Sequence, residues 1–326
     1  MFMAQSEISV NHGAVRLVEE MIEKPNSLGI KVTQTGNGAT VIDAGIDAVG
    51  SYGAGKYVTE VCLGGLGRAN ISLTNYGENL TLPSIFVETS HPAIATLGSQ
   101  FAGWRIKDKE KKFFGMGSGP ARALSLEPKE LYEKISYEDK ASEAVIVIET
   151  ENPVNNDIVE IISTKCVVQY ASLYVVAAPT NSLVGSVQIS GRVVETGVHK
   201  LSEVGFDPKK IKHASGDAPV APIHPNSAKA MGRTNDVILA AGRVYLTVEA
   251  NENDNLQELI SKVPSSSSKD YGKPFQQIFK AAGYDFYKID PGLFAPAEIT
   301  INDVKTGKSY HAGKVDTELL RKSFES

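Results

Sequence analysis

The sequence predicts an α+β fold of two mixed α/β-type domains with a cleft between them. Three observations carry this. Helical and hairpin patterns follow one another irregularly, without the steady βαβ alternation of a doubly wound sheet. The chain has 326 residues, more than a single hydrophobic core usually serves. Hydrophobic residues make up 42% and charged residues 22%, which excludes bulk disorder.

The elements follow in order. Ala14 to Glu23 places Val15, Leu17, Val18, Met21 and Ile22 at helical spacing between charged residues. Lys31 to Ala44 alternates around Gly36-Asn37-Gly38, a hairpin signal. Glu143 to Glu149 is a buried strand with Ala-Val-Ile-Val-Ile at its centre. Asn155 to Lys165 reads as a helix with Ile158, Ile161 and Ile162 on one side. Leu173 to Ala178 reads as a strand that Pro179 ends, and Val184 to Ile189 as another. Arg192 to Val204 has five apolar residues at helical spacing, and Gly205 closes it. Val237 to Val248 reads as strand despite Gly242. Asn255 to Val263 is a short helix, and 298–315 is a terminal hairpin turning at Thr306-Gly307. The expected division is 1–120 plus 280–326 as one domain and 121–279 as the other.

Charge and cysteine usage exclude several classes. The net charge is −5 and no extended cluster of Lys and Arg appears, so no nucleic-acid surface is expected. The dense run Lys107 to Lys112 alternates with Asp108 and Glu110 and reads as a solvated turn. Cys62 and Cys166 are too few for a disulfide framework and suit a reducing cytosol. The six histidines form no HExxH or HxH pattern, so no metal site is expected. Met1 to His12 lacks a signal-peptide pattern. Cys166 to Gly191 is free of charge, but polar residues and Pro179 interrupt it, which argues against a bilayer span.

A candidate internal repeat links two segments. Val49-Gly50-Ser51 precedes Gly55-Lys56 and Glu60; Val184-Gly185-Ser186 precedes Gly191-Arg192 and Glu195. A duplication would let two halves face each other, each with a cation and a carboxylate. On a helix, Arg192, Glu195 and His199 share one face. There a carboxylate can activate water and a neighbouring arginine keeps it ionised. A surface ion pair is the plainer alternative. Gly115 to Arg122 alternates Gly115, Gly117 and Gly119 with Met116 and Ser118 before a helix start. It is read as an anion cradle with Arg122 as clamp, or as a simple glycine turn. Ser265 to Phe275 offers Lys269, Tyr271 and Lys273 to a polar ligand tail, or forms a serine-rich loop. Leu63 to Gly67 is a place for a flat ring or a helix stop. His91 reads as a turn residue and Trp104 as core.

These motifs together resemble the methenyltetrahydromethanopterin cyclohydrolase family. The resemblance runs over nearly the whole chain, through Asn37 to Asp43, Cys62 to Leu66, His91 to Ala95, Ala102-Gly103-Trp104, Gly115 to Leu124, Ala230-Met231-Gly232, Asp270 to Phe275 and Tyr287 to Pro291. Its strongest stretch is Ala178 to Thr196. The resemblance implies a cytoplasmic homotrimer that converts N5,N10-methenyl-tetrahydromethanopterin, or a close analogue, to the N5-formyl form. It makes Arg192 and Glu195 the catalytic pair, with no metal and no cofactor beyond the tetrahydromethanopterin-type substrate. Lys56, Glu60, Gly117, Ser118, Gly119, Arg122, Ser186, Gln188, Lys269, Tyr271 and Lys273 are the residues expected to hold that substrate. A small-molecule phosphotransferase and a non-catalytic pterin-binding protein are the competing readings. Neither a nucleic acid nor a membrane is an expected partner.

Overall fold

A central run of alternating branched residues organises the first half of the molecule. In the computed structural model, which describes residues 8–77, 79–108, 113–283, 285 and 288–325, β7 (Ala144–Glu149) lies inside a six-stranded sheet. The order is β1 (Lys31–Gln34), β2 (Thr40–Asp43), β8 (Leu173–Ala177), β7, β6 (Phe113–Ser118), β5 (Trp104–Asp108). The strands β2, β8 and β7 run parallel, and antiparallel pairs flank them. Side chains of a strand alternate faces. Val145 and Val147 therefore pack with α1 (Val10–Glu23) and α3 (Tyr52–Cys62), while Ile146 and Ile148 pack with α6 (Asn156–Cys166). Burial on both faces explains the unbroken apolar run. Trp104 joins the α6 side, as its place in the core requires. Short helices α2 (Pro25–Leu28), α4 (Arg122–Ser125) and α5 (Lys129–Ile135) fill the connections.

The second sheet has the order β12 (Ser309–Gly313), β11 (Glu298–Asp303), β10 (Arg243–Val248), β9 (Ile211–Pro219), β4 (Thr81–Thr89), β3 (Gly67–Asn75). Only β10 and β11 pair in parallel. One face carries α7 (Leu183–Ser190), α8 (Val193–Glu203) and α9 (Ser227–Ala241), whose apolar residues share a core with Ile85, Val87, Val244 and Leu246. The other face leaves Phe86 40% and Tyr245 45% exposed. Helix α10 (Leu256–Ser261) packs on β11 and β12, and α11 (Phe275–Ala281) and α12 (Thr317–Glu325) pack on α9. Sheet membership interleaves across the expected 1–120/280–326 and 121–279 borders. Residues 1–120 supply β1, β2, β5 and β6 to one sheet and β3 and β4 to the other.

Most expected elements are present: the helix after Ser9, the hairpin at Gly38, the helix capped by Asn155, the helix closed by Gly205 and the terminal hairpin at Gly307. Two are corrected. Val184 to Ile189 is helix, not strand. Ser182 caps it by accepting from the Gly185 N–H, and Val184, Ser186, Val187 and Gln188 are all buried. A helix enclosed on every side has no polar face, so its sequence shows no helical period. Val237 to Ala241 ends α9 rather than beginning a strand, and only Arg243–Val248 is β. Here too burial removes the polar positions that mark period. The Lys107 to Lys112 turn falls partly on 109–112, outside the described residues; Lys107 and Asp108 end β5. No helix among the described residues is long and apolar enough to cross a membrane.

The glycine of α7 is a contact point. A Cβ at Gly185 falls 1.9 Å from the Pro179 carbonyl oxygen. Gly185→Ala should therefore lower unfolding stability by about 1–3 kcal/mol, read from the urea midpoint. An unchanged midpoint means the turn yields freely.

Candidate active site

Gly191 and Arg192 form the elbow that separates α7 from α8. Two neighbours fix this elbow. A Cβ at Gly191 would meet Thr59 of α3 at 2.6 Å, so only glycine lets the helices approach this closely. On the other side the Gln100 side chain donates from Nε2 to the Gly191 carbonyl at 3.0 Å. Gln100 is the last residue of a π-helix, Ala93–Gln100. Such wide turns are rare and concentrate at functional sites.

Arg192 is the first residue after the elbow and is only 8% exposed. Its Nη1 donates to the Gln100 carbonyl. Its Nη2 donates to Ser118 Oγ at 2.9 Å and to Gln188 Oε1 at 3.0 Å. Glu195, one turn along α8, is 6% exposed, and its Oε2 lies 3.9 Å from Arg192 Nη1. That is a charge contact, not a hydrogen bond. The shared helix face expected from the sequence is real, and the surface-pair alternative fails because both groups are buried. One expectation is corrected. Arg192 does not hold Glu195 fully ionised: desolvation by burial outweighs the attraction of Arg192 and Arg122 and pushes the carboxyl up to about 7. The guanidinium bonds to neutral acceptors elsewhere, so it only partly offsets desolvation. A carboxyl that titrates near neutrality can both take and return a proton.

Other groups stand near this pair, of which the sequence did not mark Gln100. The Cys62 thiol sits 3.7 Å from Ser118 Oγ, and burial pushes its pKa up, so it stays a thiol. Both cysteines are free and buried, as expected. Gln100 has no periodic or motif signal, because a π-turn leaves no sequence pattern. His199 stacks on Phe101 with ring centroids 4.9 Å apart, and burial lowers its pKa, favouring the neutral ring.

The other expected substrate contacts separate into two sets. Ser118 and Gln188 touch Arg192 directly. Most of the others have their partners elsewhere in the fold. Lys56 reaches Glu60 at 3.5 Å, and Glu60 accepts from the Ala69 N–H at 2.9 Å, tying α3 to β3. Ser186 donates to the Ala221 carbonyl at 2.7 Å. Arg122 is 0% exposed and donates to the carbonyls of Leu97, Ser99 and Glu127, between the rings of Phe101 and Tyr132. A group so enclosed cannot clamp a ligand tail. The glycine cradle is also corrected. Gly115 and Gly117 lie in β6, where Cβ atoms would strike Ile148 at 2.4 Å and Ile106 at 3.1 Å. The Gly119 N–H donates to Ser99 and the Ala121 N–H to Val145, so neither is open to an anion. Lys269 and Lys273 are exposed, and Tyr271 donates to Asp316 at 3.0 Å; none of these contacts reaches Arg192 or Glu195. The repeat copies also differ. Ser51 caps α3, whereas Val184-Gly185-Ser186 lies within α7, and α3 packs directly on α7.

A separate cavity of about 520 Å³ opens on the uncovered face of the second sheet, lined by Arg68, Glu88, His91 and His213 among others. Neither Arg192 nor Glu195 lines it. The buried acid with its positioned cation is the better centre for proton transfer.

Comparison with known proteins places the chain among the cyclohydrolases. The chain belongs to that family: the Cyclohydrolase (MCH) family model matches residues 9–324, and the protein is an enzyme. Its similarity extends to particular enzymes. It is 51% identical to the methenyltetrahydromethanopterin cyclohydrolase of Methanocaldococcus jannaschii, over 97% of this chain and 98% of that one. It is 50% identical to the enzyme of that name from Methanothermobacter thermautotrophicus, over 97% and 99%. The counterpart from Methanococcus maripaludis strain C7 is 47% identical, over 98% of both chains.

The buried carboxyl has a stability signature. Folding raises Glu195 from 4.5 to about 7, so the folded state binds its proton more tightly than the unfolded state. The stabilisation is full below pH 4.5 and is lost as pH rises to about 7. Asp236, buried on α9 and also raised to about 7, adds to the same fall. Across that window wild type should lose about 3 kcal/mol more than Glu195→Gln, compared by urea unfolding at pH 4.5 and pH 8. Parallel stability curves would show that Glu195 stays ionised in the folded protein.

Proposed function

We propose that this enzyme hydrolyses N5,N10-methenyl-tetrahydromethanopterin, or a close analogue, reversibly to the N5-formyl form. The observation that carries this reading is a buried carboxyl, Glu195, 3.9 Å from a buried guanidinium whose hydrogen bonds go to other partners. Enzymes of about 50% identity that carry this activity in their names support the same substrate class.

The methenyl carbon shares the positive charge of its two nitrogens. A cation entering beside Glu195 favours the ionised carboxylate, so binding itself readies the base. Water attacks the methenyl carbon and a C–O bond forms while Glu195 takes one proton from the water. The ring cation is then neutral, and the carboxyl keeps its proton readily. N10 accepts that proton, the C–N10 bond breaks, and the hydroxyl proton leaves to solvent as the formyl C=O forms. One water is consumed and one proton is released. Arg192 orients the carboxylate and limits how far burial raises it. No step calls for a metal or a redox cofactor.

We place the assembly as a homotrimer in the cytoplasm. The uncovered sheet face with Phe86 and Tyr245 supports burial between copies. Sedimentation at the mass of one chain, rather than three, would remove that part.

The reaction is followed by loss of the methenyl chromophore. Glu195→Gln should reduce kcat by about 10²–10⁴-fold with substrate still bound. Turnover within a few fold of wild type rules Glu195 out as the base. Arg192→Ala should shift the acidic limb of the pH profile to higher pH, because the carboxylate loses its nearest positive charge. An unmoved limb assigns Arg192 to substrate contact alone.

A further inference from the structure

The guanidinium of Arg192 has a buried carboxylate within reach and does not hydrogen-bond to it. Its nearest approach is 3.9 Å. Its hydrogen bonds go instead to the Gln100 carbonyl, to Ser118 Oγ and to Gln188 Oε1. Charge-assisted pairing with a carboxylate is stronger than bonding to a neutral oxygen. The geometry is therefore an imposed one, and each tether is itself anchored. Gln188 is 1% exposed in α7, one helical turn before Arg192. Ser118 ends β6 and is 2% exposed. The Gln100 carbonyl ends the π-helix, and the Gln100 side chain pins Gly191.

We propose that Gln188, aided by Ser118 and the Gln100 carbonyl, is a positioning residue that holds the Arg192 guanidinium off the Glu195 carboxylate. The inference rests on Glu195 being the proton-transfer group. Its consequence is the balance between the two protonation states. A guanidinium moved into two-point contact favours the charged carboxylate strongly. Glu195 would then accept the proton from water but give it up poorly to the leaving nitrogen. Held at 3.9 Å, the same cation tempers burial without abolishing it.

The remaining charges around Glu195 leave Arg192 as the main control. Arg122 acts on it second, and the Cys62 thiol interacts with it more weakly. Neither the π-helix nor α7 bears a titratable side chain. Glu88, His213, Asp217 and Arg243 of the second sheet lie on its uncovered face, where Arg243 pairs with Asp217 at 2.6 Å. Lys210, in the 3-10 turn that follows α8, pairs with Asp254 at 2.6 Å. His199 responds chiefly to burial, Glu203, Lys134 and Lys200.

The test titrates Glu195 directly in substrate-free protein. The protonated-carboxyl infrared band is followed against pH, with Glu195→Gln as the blank. Gln188→Met keeps the volume and removes the acceptor, freeing Nη2 to turn toward the carboxylate. The Glu195 midpoint should fall by roughly one unit or more. Gln188→Glu keeps an acceptor and adds a negative charge, so its midpoint should rise. Ser118→Ala should move it in the same direction as Gln188→Met, and replaces that variant if it does not fold. Opposite shifts for the Met and Glu variants, with matching shifts in the acidic limb of the kcat profile, establish the role. Midpoints that stay at the wild-type value, or that move the same way in both variants, overturn it. If the midpoints shift as expected but wild type does not consume the methenyl substrate, the positioning device stands and the proposed reaction falls.

Discussion

The site depends on one constraint: the elbow at Gly191 must fit between α3 and the end of a π-helix. Thr59 presses against one side of the turn, and the Gln100 amide grips its carbonyl on the other. This fixes where Arg192 leaves the backbone. From that point the guanidinium can reach the Gln100 carbonyl, Ser118 and Gln188 together. The same turn sets α8 on the second sheet, where Gly197 and Val244 lie in close contact. Position of the cation, direction of the helix and burial of Glu195 are thus consequences of one junction.

That junction also joins the two sheets. Ser118 belongs to the first, α8 packs on the second, and Cys62 ends the helix that covers the first. Any shift between these layers lengthens the bonds to Arg192. A buried guanidinium without acceptors is costly, so the polar network resists such motion. Arg122 performs a related task nearby: its carbonyl partners fasten the π-helix to the turn before α5. Two buried arginines therefore have different duties. One is wholly enclosed by backbone oxygens and rings; the other keeps an edge toward the carboxylate.

The chemistry follows from competition between burial and charge. Burial favours the neutral carboxyl, and two arginines favour the charged form. Neither wins outright, so Glu195 sits where a proton can be taken and returned. A solvent-exposed pair at the same helix spacing would leave the carboxylate ionised throughout the neutral range. Hydrolysis of a cationic ring needs both proton states in sequence, and a balanced buried carboxyl supplies them.

The sequence by itself determined the elements whose two faces differ. Helices after Ser9 and Asn155 and the terminal hairpin were legible because side-chain polarity changes with the period of the backbone; the AVIVI strand was legible as a short unbroken run of branched residues. The Arg192 and Glu195 spacing was also legible, since three residues on a helix return to the same face. Tertiary structure decided the rest. The helix at Val184 to Ile189 is buried all round, which erases its period. The glycines of Gly115 to Gly119 looked like an anion cradle, but Ile148, Ile106 and neighbouring carbonyls occupy the space and the N–H groups. Arg122 looked like a clamp until the fold enclosed it completely, with Nε and Nη1 bonded to backbone carbonyls. Gln100 gave no local signal at all, because its role comes from a contact across ninety-one positions of the chain. Local pattern records which face of an element meets water; which polar groups meet inside depends on how distant elements pack.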